Sequence, residues 1–271
     1  MEFYTSVVQY GSKMLVRGYD ESGNAFKHRV DFMPTIYVSS KVPTDFKTLD
    51  GKYVGAIQPG TIKDTRDYID RYRDVQGFEI FGNNNFVAQY ISDNYPNEII
   101  YDQDKVKVFT IDIETATENG FPDIASANEE MLLISIQDNK TKDIVTFGRK
   151  PIGNSGDVDY RCYEDEATML REFIYYWQQN CPDVVTGWNI NFFDIPYLIR
   201  RIEYVLGESF AKKISPWDLI TERRVTMKGS EEITYDIQGV AMLDYLDLYK
   251  KYTYTAQESY RLDHIASVEL G

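Results

Sequence analysis

Asp112 and Glu114 are the residues of this chain best suited to chemistry. They sit in the run Phe109-Thr110-Ile111-Asp112-Ile113-Glu114-Thr115, at the end of an apolar, strand-like segment. In a β-strand residues i and i+2 share a face. The two carboxylates therefore stand side by side while Ile111 and Ile113 turn into a core. Two hard oxygen ligands on one face suit Mg²⁺ or Mn²⁺, and ion pairs held about 3.5–4 Å apart cleave phosphodiesters. The plain alternative is an amphipathic strand with one wet face. Context weighs against it. Val106-Lys107-Val108-Phe109 leads in and two further apolar strand candidates follow, which makes this strand central. Unpaired carboxylates on a central strand are costly without a cation.

A second segment, Thr186 to Tyr197, supplies another carboxylate. Asp183-Val184-Val185-Thr186 reads as a short buried strand, and Leu198 to Leu206 has helical spacing of apolar residues that stops at Gly207. Pro196 fits the first turn of that helix, where its missing N–H is no loss. Asp194 falls at the helix N-terminus, where the dipole favours an ionised carboxylate. Taken alone, Asp194 reads as an ordinary N-cap.

The elements that must position these groups fall into two units, 1–105 and 106–271, with the polar, Pro96-containing stretch 93–104 between them. In the first, Val7–Tyr10, Met14–Tyr19 and Thr35–Val38 read as strands, with a hairpin turn at Asp20–Asn24. Thr61 and Asp64 form a weak capping box for a helix over 61–72. Phe78–Phe81 and Phe86–Ile91 read as a further pair of strands across Gly82-Asn83-Asn84. In the second unit, Met131–Gln137 and Asp143–Phe147 form a hairpin. Glu166–Gln179 is a helix with Met169, Leu170, Phe173, Ile174 and Trp177 on one face, a stripe that reads as core. Arg223 to Gly239 reads as a β-hairpin turning at Lys228-Gly229-Ser230.

Asp-Ile-Glu followed by Asn189-x-x-x-Phe193-Asp194 resembles the first two exonuclease motifs of family-B DNA polymerases, and in particular the polymerases of T-even-like tailed phages. Gly120-Phe121-Pro122, Thr186-Gly187-Trp188-Asn189, Phe193 to Tyr197, Gly207-Glu208-Ser209, Leu243 to Lys251 and Ser259 to Asp263 are similar to that group, as are Glu2-Phe3-Tyr4 and Tyr90 to Asp93. The likeness covers nearly the whole chain. It implies an α/β, ribonuclease-H-like exonuclease domain over 106–271, with carboxylates gathered over a mixed sheet, preceded by a mostly β N-terminal domain over 1–105. It implies that Asp112, Glu114 and Asp194 hold two divalent metal ions, Mg or Mn, and excise misincorporated nucleotides in the 3′→5′ direction. Phe121 would lie near the unpaired 3′ end, where stacking is sequence-tolerant; a buried loop aromatic is the equal alternative. Asn189 and Phe193 would support the second motif, and Arg223, Arg224 and Lys228 lie on the hairpin that in the family parts primer from template.

One departure stands out. The family's third motif is Tyr-x-x-x-Asp, and none of the 22 tyrosines has Asp four residues on. Asp-Thr-Asp-Ser and Ser-Leu-Tyr-Pro-Ser, the polymerising motifs, are missing as well. The sequence therefore reads as the N-terminal part of a polymerase, with partners in a single-stranded DNA 3′ end, a chain carrying the third motif and palm, and a sliding clamp through the parent enzyme. A rival reading makes it an assembly or nucleic-acid (RNA or single-stranded DNA) binding module. A third lets Glu118 or Asp247 substitute for the last carboxylate.

Composition narrows the field. At 271 residues and 43% hydrophobic, the chain has ample material for a core. No apolar run approaches the ~18–20 residues that span a membrane, and no export signal precedes the first strand; the expected location is the cytoplasm of an infected bacterial cell. Cys162 and Cys181 have no metal-site spacing and read as free thiols. With only two histidines, composition argues against zinc sites built on histidine and against Ser-His-Asp triads. No glycine-rich phosphate loop occurs. A net charge of −14 opposes simple electrostatic binding of nucleic acid, although bound divalent cations invert the local effect of carboxylates. The basic pairs, Arg200-Arg201 and Arg223-Arg224 among them, read mostly as solvated surface.

Overall fold

The computed structural model describes residues 2–118, 120, 122–227 and 229–271, with the side chains of Met227 and Ser230 left aside. The chain divides into two compact units, Met1–Asp102 and Gln103–Gly271.

In the first unit, β1 (Phe3–Tyr10), β2 (Lys13–Tyr19) and β3 (Ala25–Asp31) form an antiparallel sheet in that order. Asp20 closes the β2–β3 turn by accepting the Asn24 amide at 2.8 Å. A second sheet contains β4 (Ile36–Ser39), β5 (Phe46–Lys47), β6 (Tyr53–Ile57) and β7 (Ile80–Phe81) in the order β5-β6-β4-β7. Helix α1 (Ile62–Tyr72) opens on a complete capping box: Thr61 accepts from the Asp64 amide and Asp64 from the Thr61 amide.

Phe86–Ile91, expected as a strand, is the start of helix α2 (Phe86–Asn94). Asn85 caps it by accepting the Ala88 amide at 3.1 Å. Phe86 and Tyr90, four apart, fall on one helical face and bury against Met14, Val16, Phe32 and Ile62. Burial of that pair on one side outweighs the β-preference of the individual residues.

The second unit runs β8 (Val108–Thr115), β9 (Met131–Asp138), β10 (Ile144–Gly148), β11 (Val158–Cys162), α3 (Glu166–Asn180), β12 (Val184–Gly187), α4 (Asp194–Leu206), α5 (Glu208–Ala211), β13 (Ile220–Met227), β14 (Ser230–Ile237), β15 (Ala241–Asp244), α6 (Tyr245–Tyr252) and α7 (Leu262–Leu270). Six of the strands form one sheet, ordered β11-β10-β9-β8-β12-β15. β9 is antiparallel to β8 and β10; β12 and β15 run parallel to β8. This mixed sheet has the ribonuclease-H-like arrangement. The edge strand β11, parallel to β10, is an addition to the three strands expected before the helix. β13 and β14 make the expected hairpin as a separate ribbon.

Beneath the sheet, Phe109, Ile111 and Ile113 meet the α3 stripe of Met169, Leu170, Phe173, Ile174 and Trp177, and α4 adds Ile195, Leu198, Ile199 and Ile202. Trp177 satisfies its indole N–H on the Ile214 carbonyl at 2.8 Å. The contact between β12 and β8 is tight. A Cβ on Gly187 would lie 2.5 Å from the Ile111 carbonyl oxygen. Gly187→Ala must push apart the two strands that carry the site. Urea denaturation should show a loss of about 1–3 kcal/mol; an unchanged midpoint would mean that the strands can slide freely.

Candidate active site

The alternation along β8 is the first determinant. Ile111 and Ile113 are buried, while Asp112 and Glu114 point out of the other face. After Glu114 the pairing slips: Glu114 faces Leu133, but Thr115 faces Met131, leaving Leu132 as an extra residue on β9. Such bulges bend a strand and re-aim the side chains beside them.

Asp194 is the second determinant. At the N-terminus of α4 it is only 5% exposed. Its Oδ1 accepts the main-chain N–H of Ile113 at 3.2 Å, which ties the helix to β8 between the two strand carboxylates. Burial, and then the charge of Asp112, push the Asp194 pKa up to about 7, against the opposing effect of the Ile113 hydrogen bond. Burial also raises the pKa of Asp112. A buried carboxylate raised in pKa beside a second, more exposed one is a signature of functional sites.

The turn leading to Asp194 is built on Asn189, at φ 61°, a left-handed conformation that Asn tolerates better than most residues. The Asn189 amide donates to Asp244 Oδ1 at 3.0 Å and the Asn191 amide to Oδ2 at 2.9 Å, while the Leu246 amide caps α6 on the same Oδ1 at 2.9 Å. Asp244 is 4% exposed. The Asn189 main chain is thereby tied to Asp244. Phe193 packs against the core, with its ring 5.8 Å from that of Tyr197. Beside Asp112 lies a cleft of about 380 Å³ lined by Thr110, Asn139, Thr186, Trp188 and Tyr245. A larger cleft of about 560 Å³ in the first unit is lined mainly by Tyr37, Phe46, Leu49, Val54 and Phe81, with Asp50 as its one carboxylate.

The remaining expected residues are spread out. Arg223 pairs with Asp236, and Arg224 lies near Glu222 and Glu231, so both hairpin arginines are met by hairpin acids. Phe121 and Lys228 lie outside the described residues. Glu118 and Asp247 are exposed, Asp247 in the first turn of α6. Among the described residues, no three His, Cys, Asp or Glu side chains converge into a ready metal cage. The pair Arg200-Arg201, read as solvated, is not: Arg201 is 7% exposed and ion-paired to Glu166, and Arg200 meets Glu203 and Glu222. Neither Asp244 nor Arg201 carries a local sequence signal for the site. Asp244 carries a local N-cap signal, but its main-chain partners are more than fifty residues away.

The donor set of Asp112, Glu114 and Asp194 is hard, anionic and oxygen-only, as Mg²⁺ and Mn²⁺ require. The mutual repulsion of Asp112 and Asp194 is the penalty that a divalent cation would cancel. These residues fit such an ion.

Sheet order and helix placement define a ribonuclease-H-like unit, and the sequence profile of the DNA polymerase family B exonuclease domain matches residues 82–265. The chain belongs to this family. It is 35% identical over 295 residues to the DNA-directed DNA polymerase of Enterobacteria phage T4, a match covering 99% of this chain and 32% of the relative. The corresponding polymerase of Escherichia phage RB69 is 33% identical over 299 residues, covering 100% of this chain and 33% of the relative. The DNA polymerase catalytic subunit of human cytomegalovirus strain AD169 is 36% identical over 74 residues, or 24% of this chain. The chain spans about a third of the length of the phage relatives. It carries a DNA polymerase family B exonuclease domain over residues 82–265. No helix among the described residues is long and apolar enough to cross a membrane.

Proposed function

We propose that this chain is the N-terminal, proofreading part of a replicative polymerase and that its carboxylates take part in 3′→5′ excision of mispaired nucleotides. Residues 1–105 would be the polymerase N-terminal domain and 106–271 the exonuclease domain. The observation that carries the reading is Asp194, buried against the main chain of Ile113 and driven up in pKa by its desolvation and by Asp112. Asp112, Glu114 and Asp194 would hold the divalent ions. When bound, such ions supply Lewis-acid activation of water and neutralise charge on the phosphate. The protein's own contribution is to hold three anionic oxygen donors on a rigid strand and helix end. The cleft walls, Trp188 and Tyr245, offer aromatic faces for sequence-tolerant base stacking. Its partners would be a single-stranded DNA 3′ end, the remaining polymerase with its third motif and palm, and through it a sliding clamp, all in the cytoplasm of an infected bacterium.

A second reading, a nucleic-acid-binding or assembly module that leaves catalysis to a partner chain, is favoured by one observation. Among the described residues, no three His, Cys, Asp or Glu side chains converge on one point. Degradation of a 3′-labelled single-stranded oligonucleotide by this chain, with Mg²⁺ and then Mn²⁺, separates the two. Release of mononucleotides from the 3′ end supports the nuclease; binding without release supports the module.

A further inference from the structure

We infer that Tyr197 and Arg201 are positioning residues that set the aim of Glu114 from the buried side of the sheet, by fixing the main chain that forms the bulge opposite it. The inference rests on the carboxylate reading above and extends it to residues outside the acidic set.

Helix α4 uses one face for three main-chain contacts. Asp194, Tyr197 and Arg201 follow each other at i, i+3 and i+7, so they lie along one stripe. Asp194 takes the Ile113 amide of β8. One turn on, the Tyr197 hydroxyl donates to the Glu129 carbonyl at 2.7 Å, with the ring fully buried. A further turn on, Arg201 Nη1 donates to the Ala127 carbonyl at 2.8 Å. Ala127 is 1% exposed and held at φ 42°, a left-handed conformation unfavourable for alanine. Such a residue persists only where its surroundings over-determine it.

Arg201 is itself locked. Its Nε and Nη2 grip both oxygens of Glu166 at 2.7 Å each, with the two side chains 8% and 11% exposed. A bidentate guanidinium–carboxylate pair fixes orientation as well as charge. Glu166 Oε1 then accepts the Met131 amide at 2.8 Å. Residues 127, 129 and 131 are therefore pinned in turn by Arg201, Tyr197 and Glu166. Met131 is the residue paired with Thr115, and the register slips between Thr115 and Glu114. On the far side, the Arg149 amide donates to the Leu132 carbonyl at 3.1 Å and Arg149 Nε to Glu130 at 2.5 Å. The bulge is thus clamped at every residue from 129 to 132. Its geometry decides where Glu114 points relative to Asp112, and Asp194 sits on the same helix as the clamp. One rigid rod therefore carries Asp194 and fixes the bulge opposite Glu114.

The test uses the full chain and Mn²⁺ alone, counting free aquo-Mn²⁺ by electron paramagnetic resonance without DNA. Tyr197→Phe removes one hydroxyl and keeps the ring. Arg201→Lys keeps the charge opposite Glu166 but loses the fork. Each is expected to weaken Asp112-dependent Mn²⁺ binding about 10-fold, the usual cost of losing an outer partner of a metal site, while circular dichroism remains that of the wild type. Wild-type affinity in both folded variants would overturn the inference and leave the carboxylate reading intact. Unfolding of both would also overturn it, by making these residues part of the core alone. Failure of the wild type to bind Mn²⁺, or equal binding by Asp112→Ala, would overturn the carboxylate reading itself and this inference with it.

Discussion

Asp112→Ala is expected to abolish release of 3′ nucleotides by this chain, by about 10³-fold or more, since removing a ligand that organises the reacting phosphate costs several kcal/mol of transition-state stabilisation. The fold should survive. Asp112 is exposed on its strand, and the neighbours that build the core, Ile111 and Ile113, are untouched. Losing the Asp112 charge also removes the second of the two main pressures on the Asp194 pKa. A structural effect would therefore be a slight gain in stability, the opposite sign from the loss of activity. The measurement is a time course on a 3′-labelled single-stranded oligonucleotide with Mn²⁺. Excision at the wild-type rate by Asp112→Ala would remove these carboxylates from the mechanism.

The second large effect concerns pH in the absence of metal. Asp194 has an ordinary pKa of 3.8 when exposed and about 7 when folded. Between those values the folded chain keeps a proton that the unfolded chain has released. Stability contributed by this group therefore falls as pH rises from about 4 to about 7, and the full penalty is present above that. The difference in pKa corresponds to at most about 4 kcal/mol, and relaxation around the charge reduces it. Asp194→Asn removes the penalty and keeps an oxygen for the Ile113 amide. In EDTA, urea unfolding should find the variant equal to wild type near pH 4 and more stable by a few kcal/mol at pH 8, while it no longer binds Mn²⁺. A variant less stable than wild type at pH 8 would show that the Asp194 charge is already compensated within the protein.

The parts of this molecule that follow local rules were legible in its sequence. The Asp112–Glu114 alternation is period two, the α3 stripe is period 3.6, and the Thr61–Asp64 box caps its helix as its residue types require. Phe86–Ile91 misled because aromatic and β-branched residues favour strands, whereas the deciding facts were a cap at Asn85 and burial of Phe86 with Tyr90. The short edge strand Val158–Cys162 has too little apolar pattern to announce itself. Arg201 looked like half of a solvated pair because its partner, Glu166, is thirty-five residues away. Asp244 was hidden for the same reason. The chemistry was visible in adjacent letters, and the framework that aims it depends on contacts that no short window contains.

Asp244 also bears on how this protein can be cut into pieces. It is the last residue of the edge strand, and its two oxygens serve amides on both sides of a long stretch of chain, Asn189 and Asn191 behind it and Leu246 ahead. A shortened fragment that ends before Ala241 would retain every acidic residue of the candidate centre and still leave the half-buried Asn189 and Asn191 amides without their acceptor in the turn that presents Asp194. Such a fragment would have the right composition and a loosened centre. Inactivity in it would report on the missing edge strand and not on the chemistry, so the shortest informative piece must extend beyond residue 246.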